Sequence, residues 1–113
     1  FAQADLRVWH AERGVEIEAW RPLGGGLLGH PRLAEIGEAH GKTPAQVALN
    51  WVLHKPGVTA PIFGARTPQQ LEQNLGSVGW SLTPDEVARL DQVSAIPLPS
   101  PYSFIQRYTR PRI

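Results

Sequence analysis

The sequence contains no cysteine and no methionine. Without cysteine it has neither disulfides nor thiolate metal ligands, and a reducing compartment is permitted; a cytoplasmic location is the expectation. Without methionine, and starting at Phe1, it lacks the initiator of a complete translation product. The expectation is therefore a fragment of a longer polypeptide, or a processed piece. No apolar run approaches the roughly 18–20 residues that span a bilayer as a helix, so no membrane partner is expected. The amino end, Phe1-Ala2-Gln3-Ala4-Asp5, shows no basic region followed by an apolar one, and no signal peptide is read there. Excess charge is missing too: 11 basic against 10 acidic residues leave a net charge of +1, which gives no reason to expect nucleic acid. His10, His30, His40 and His54 show no ligand spacing of the HExxH kind, so no metal is expected.

What remains is ordinary for a globular protein: 113 residues, 42% hydrophobic and 19% charged, enough for one domain. The periodicity predicts alternating helices and strands. A helix over 2–12, with Leu6, Trp9 and Arg13 three and four apart, is closed by Gly14. A strand over 15–20 sends Val15, Ile17 and Ala19 to one face and Glu16, Glu18 and Trp20 to the other. Pro22-Leu23-Gly24-Gly25-Gly26 breaks regular structure. A short helix over 32–40 places Leu33 and Ile36 inward and ends at Gly41. The next helix, over 44–54, carries Gln46, Asn50 and His54 as one polar stripe on an otherwise apolar surface. A second strand over 58–63 is apolar enough to be buried on both faces. Helices over 68–75 and 84–94 follow, the last opened by a capping box at Thr83 and Glu86, with Val87, Leu90 and Val93 inward. From Pro97 the prolines deny regular structure, and Tyr102, Phe104, Ile105 and Tyr108 are expected to pack the tail down as an ordered arm.

The most informative stretch runs from Pro61 to Asn74. An apolar strand enters a glycine turn, then a helix with Thr67 at the cap, Pro68 at its first position and Gln70 at its third, a capping-box start. The first amides of such a helix lack internal partners, and its dipole adds partial positive charge there. Gly64 lets a ligand approach the backbone, and Arg66 adds a planar fork of donors. The assembly suits a phosphate, although an ordinary strand-to-helix connection with a surface arginine accounts for the pattern as well.

Alternating strands and helices predict parallel sheet in an α/β fold, but two strands leave both sheet edges open. The missing strands must come from elsewhere. The succession Glu18-Ala19-Trp20-Arg21-Pro22-Leu23-Gly24-Gly25-Gly26-Leu27-Leu28, then Lys42-Thr43-Pro44-Ala45-Gln46-Val47-Ala48-Leu49-Asn50-Trp51, resembles the C-terminal third of the aldo-keto reductases. The cap-and-arginine stretch, Leu82-Thr83-Pro84-Asp85-Glu86 and Leu90-Asp91 follow in family order. The resemblance implies a (β/α)₈ TIM barrel that binds NADP(H) at the C-terminal ends of its strands and reduces aldehydes or ketones by hydride transfer. Residues 1–96 would hold its seventh and eighth strands with their helices, incomplete as a barrel, and residues 97–113 a C-terminal tail covering part of the substrate side.

The resemblance also implies site residues. Trp20 would stack on the nicotinamide, leaving its other face to the carbonyl. Arg21, Pro22, Leu23 and Gly24 would run beside the pyrophosphate, where the family often has serine in place of Arg21. Arg66 would bind the 2′-phosphate with Gly64 and Ala65 beside it, and Gln70, Gln73 and Asn74 would edge the adenine and its ribose. A solvated polar face is the plainer account of those three. No catalytic residue is expected within this sequence, since the family's aspartate, tyrosine, lysine and histidine lie in the first half of the barrel. The expected partners are a small carbonyl substrate of the full-length enzyme, and either the remainder of the barrel or a second copy. The alternative is a non-catalytic, self-associating nucleotide-binding or structural module.

Overall fold

Three threonine–proline pairs set the starts of three helices, and the structure, a computed structural model, bears this out across the residues it describes, 4–24 and 26–95. The elements run α1 (Ala4–Glu12), β1 (Ile17–Trp20), a 3₁₀ turn (Leu27–Gly29), α2 (Pro31–His40), α3 (Pro44–Leu53), β2 (Val58–Ile62), α4 (Pro68–Leu75) and α5 (Pro84–Ser94). At α3 and α5 the capping box is complete: the Thr43 and Thr83 hydroxyls accept from the amides three residues on, and Gln46 and Glu86 return to the cap amides. Helix α1 stops at Gly14, whose φ of 64° suits glycine, and the Val15 N–H donates to the His10 carbonyl at 3.0 Å. Helix α2 starts one residue earlier than the periodicity predicts. Pro31 opens it, and His30 Nδ1 accepts from the Arg32 N–H at 3.1 Å.

β1 and β2 pair in parallel, Ile17 beside Val58 and Trp20 beside Ile62, with the register slipping by one residue between Ile17 and Glu18. Both strands are shorter than expected: Val15 and Glu16 precede β1, and Phe63 follows β2. Ile17 and Ala19 are half-buried and Glu18 and Trp20 exposed, so the predicted alternation holds. The expectation that β2 is buried on both faces is corrected. Thr59 is exposed and Ile62 is 46% exposed, because the described residues supply a sheet of only two strands.

The core lies away from the sheet, among the helices. Leu33 and Ile36 of α2, Val47 of α3 and Leu90 of α5 form a buried cluster, with Trp51, Trp80, Leu82 and Val93 packed around it. Truncating such a side chain to alanine typically removes about 2–5 kcal/mol. Helix α3 is the hub: it packs on α2, α4 and β2, and Val47, Leu49 and Asn50 are inaccessible to solvent. Helix α1 is tied to the turn before β2, where Arg7 Nη1 donates to the Pro56 carbonyl at 2.7 Å, yet Leu6 and Trp9 remain about half exposed. The expected ordered arm, with Tyr102, Phe104, Ile105 and Tyr108, lies outside the described residues.

Candidate functional site

Because the two strands run the same way and end side by side, the segments leaving them emerge together at one edge of the sheet. One segment is Arg21 to Gly24; the other is Phe63 to Thr67. In parallel sheets this carboxyl edge is where ligands bind, since the loops there are free to vary over a rigid base.

Trp20 ends β1 with 77% of its surface exposed, the most exposed of the large apolar side chains described. Arg21 follows in the left-handed region at φ 50°, the one non-glycine residue described with positive φ. That turn closes with the Gly24 N–H on the Arg21 carbonyl at 2.9 Å, leaving Pro22 and Leu23 half-buried. The Arg21 guanidinium lies 5.4 Å from the centre of the Trp20 ring. Beneath this segment sits a small, mostly apolar hollow of about 50 Å³, bounded by Pro22, Leu27, Leu33, Trp51 and Leu90. A wider groove reaches Trp20 and Arg21 from the side of α1 and passes Glu18 and Lys55.

On the neighbouring segment Gly64, Ala65 and Arg66 are all exposed. A Cβ built at Gly64 would meet nothing within 4 Å, so the approach to this backbone is open. Among the described residues no carboxylate pairs with the Arg66 guanidinium. The start of α4 differs from the expected capping box. Thr67 Oγ1 accepts from the Gln70 N–H at 3.2 Å as expected, but Gln70 Oε1 accepts from the Arg66 N–H at 2.8 Å and not from the cap residue. Two amides at this helix tip are thereby taken up by its own side chains, and the free positive charge there is mainly the Arg66 guanidinium. Gln70 and Gln73 are exposed, whereas Asn74 is 8% exposed and turned toward the protein. Neither hollow is lined by Gly64, Ala65 or Arg66, so the site is two adjacent surface segments and not a single enclosed pocket.

Two sets of partners escaped the sequence reading. His40 Nε2 meets both carboxylate oxygens of Glu86, at 2.8 and 3.0 Å, and its ring packs 5.0 Å from that of Trp80. Burial pushes the Glu86 carboxyl up, but the Thr83 backbone N–H and the His40 hydrogen bond and charge pull harder, and the net position lies below its usual 4.5. The other set belongs to the polar stripe of α3, which the periodicity shows but whose partners it does not. Among the described residues no group of three or more histidines and carboxylates could hold a metal ion, and no helix is long and apolar enough to cross a membrane.

The family model of the aldo/keto reductase family matches residues 2–95. An aldo-keto reductase of Mycolicibacterium vanbaalenii is 40% identical over 90 residues, covering 79% of this chain and 32% of that protein. The 7-acetyl-epi-neemfruitin B aldo-keto reductase of Melia azedarach is 38% identical over 99 residues, covering 80% and 30%. Among solved structures, a Gox0644 variant in complex with NADPH superimposes with a TM-score of 0.72 at 36% identity, covering 80% of this chain and 33% of that one. The chain belongs to the aldo/keto reductase family. It spans about a third of the length of the curated relatives it matches.

Proposed function

We propose that this chain is the cofactor-binding C-terminal portion of an NADP(H)-dependent aldo-keto reductase that reduces aldehydes or ketones. In this reading β1 and β2 are the seventh and eighth strands of a (β/α)₈ barrel, residues 1–96 belong to the barrel and residues 97–113 form its tail. One observation carries the proposal: the parallel pairing that sets Trp20 next to Ile62 and so brings the tryptophan turn and the arginine turn to the same edge. The NADPH held by a solved structure of 36% identity supports it.

The residues present suit a dinucleotide. The exposed Trp20 ring offers a flat apolar backing for a nicotinamide, shielding one face from water. The turn from Arg21 to Gly24 holds a guanidinium where a pyrophosphate would pass. Arg66, exposed and without a carboxylate partner among the described residues, offers a fork for a 2′-phosphate, with Gly64 and Ala65 leaving room beside it. Gln70 and Gln73 offer exposed amides for an adenine edge and its ribose, whereas Asn74, at 8% exposure, has little surface to offer. When bound, the nicotinamide supplies the hydride that a carbonyl carbon accepts. The proton comes from outside these residues, since Lys42 and Lys55 have no tyrosine within 4–95 to act on. A chain without cysteine suits the reducing cytoplasm.

Titrating the full-length protein with NADPH and NADH tests this reading. Arg66→Ala is expected to weaken NADPH about tenfold or more, the loss of a charge-assisted contact, and to leave NADH nearly unchanged. Equal NADPH affinity in the variant rejects the phosphate role. A second reading, a self-associating nucleotide-binding or structural module, is favoured by one observation: Leu6, Trp9, Trp20 and Ile62 expose apolar surface around a two-stranded sheet. NADPH binding without carbonyl-dependent NADPH consumption by the full-length protein would select it.

A further inference from the structure

Helix α4, like α1, stands outside the apolar core. It carries the candidate adenosine-facing residues yet places no apolar side chain in the core: its one buried residue is Asn74, while Leu71 is 45% and Leu75 53% exposed. Polar contacts fasten it and the segment after it to α3. Gln46 Nε2 donates to the Gln73 carbonyl of α4 at 2.7 Å. One turn further along α3, Asn50 Nδ2 donates to the Ser77 carbonyl at 2.9 Å and to the Trp80 carbonyl at 2.8 Å, in the segment leaving α4. Asn50 is wholly buried, and its Oδ1 has no partner. Turning that amide over would set an oxygen against two carbonyl oxygens, so its orientation is dictated. Gly76 makes the close approach possible, because a Cβ there would run into the Gln46 amide.

We infer that Gln46 and Asn50 are positioning residues that set the place of α4 along α3, and thereby the affinity for the adenosine end of the cofactor. The inference rests on the reading of α4 proposed above. Apolar contacts are tolerant of sliding, whereas donors aimed at particular carbonyls are not; one such bond holds the helix itself and two hold the segment leaving it, and together they fix its distance and register. The nicotinamide end, backed by β1 and its turn, does not depend on them.

Gln46→Glu separates this role from fold stability. Its carboxylate still accepts from the Thr43 N–H, preserving the capping box, but it has no donor for the Gln73 carbonyl. In the full-length protein, binding of NADPH is expected to weaken about three- to tenfold with the melting temperature little changed. Binding of reduced nicotinamide mononucleotide, which lacks the adenosine end, is expected to stay the same. Gly76→Ala, which pushes the Gln46 amide away, and Asn50→Ser, too short to reach its two carbonyls, are expected to show the same selectivity. Unchanged NADPH affinity in Gln46→Glu and Gly76→Ala overturns the inference, as does equal weakening of both ligands. If wild-type protein binds reduced nicotinamide mononucleotide and not NADPH, the reading of α4 fails first and this one with it.

Discussion

His40 and Glu86 stand 46 residues apart in sequence and meet where α2 ends and α5 begins. The carboxylate serves two partners, accepting from the Thr83 cap amide at 2.8 Å as well as from the imidazole. With its folded pKa below the usual 4.5, Glu86 contributes stability that is fully present above that value and lost as pH falls through the folded one. Thermal melts between pH 6 and about 3 are expected to show this loss. Glu86→Gln retains an oxygen for the cap amide while removing the ionisable group. Its melting temperature should be lower than wild type at pH 6 and converge with it in acid; parallel curves would show that the pair contributes nothing. At Arg66 the same reasoning gives the opposite emphasis: no carboxylate among the described residues neutralises it, so removing its charge is expected to alter ligand binding and to leave stability nearly untouched.

At the scale of elements, α4 and α5 form a natural comparison, since both begin with threonine and proline. Thr83→Ala removes the acceptor for the Glu86 N–H from a helix anchored by Leu90, and should lower global stability by about 1 kcal/mol in urea titration. Thr67→Ala removes the same bond from a helix without an apolar anchor, so the loss should appear as fraying of α4 with little shift in the urea midpoint. Equal shifts would mean that α4 unfolds with the core. The helix starts were legible because caps are local: threonine, proline and a glutamine or glutamate lie within four residues of one another. The alternation in β1 was legible for the same reason. What local pattern could not show was the partner of each group. Gln70 reaches one residue further back than a capping box requires, and β2 is half-exposed because burial depends on strands that sequence spacing does not supply. The α3 stripe was visible at its spacing of four, but that Asn50 is wholly buried follows from the return of the chain at Ser77 and Trp80.

Across the described residues as a whole, apolar packing is concentrated in one region. Helices α2, α3 and α5 share the buried cluster of Leu33, Ile36, Val47 and Leu90. A tryptophan–aspartate contact, Trp51 Nε1 to Asp91 Oδ1 at 2.8 Å, and the Lys55–Asp91 pair tie α3 and the turn after it to α5 at the rim of that cluster. Helix α4 and the strand ends lie outside it. Amide hydrogen exchange is therefore expected to be slowest in α2 and α3 and much faster in α4, approaching the rate of a locally opening segment. Uniform protection across these helices would argue against the division. The candidate site, assembled from the ends of β1 and β2, was legible as a list of residues, while their meeting at one edge required the parallel register.

The exposed flank of α4 has a further consequence for how such proteins diversify. Leu71 and Gln73 are exposed and stand outside the buried cluster, so exchanging them is expected to perturb folding little, while Gln70 also holds the Arg66 N–H. On the cofactor reading proposed above, a lineage would then be free to re-tune its grip on a dinucleotide by drift on this flank, with the hydrophobic interior as an untouched chassis.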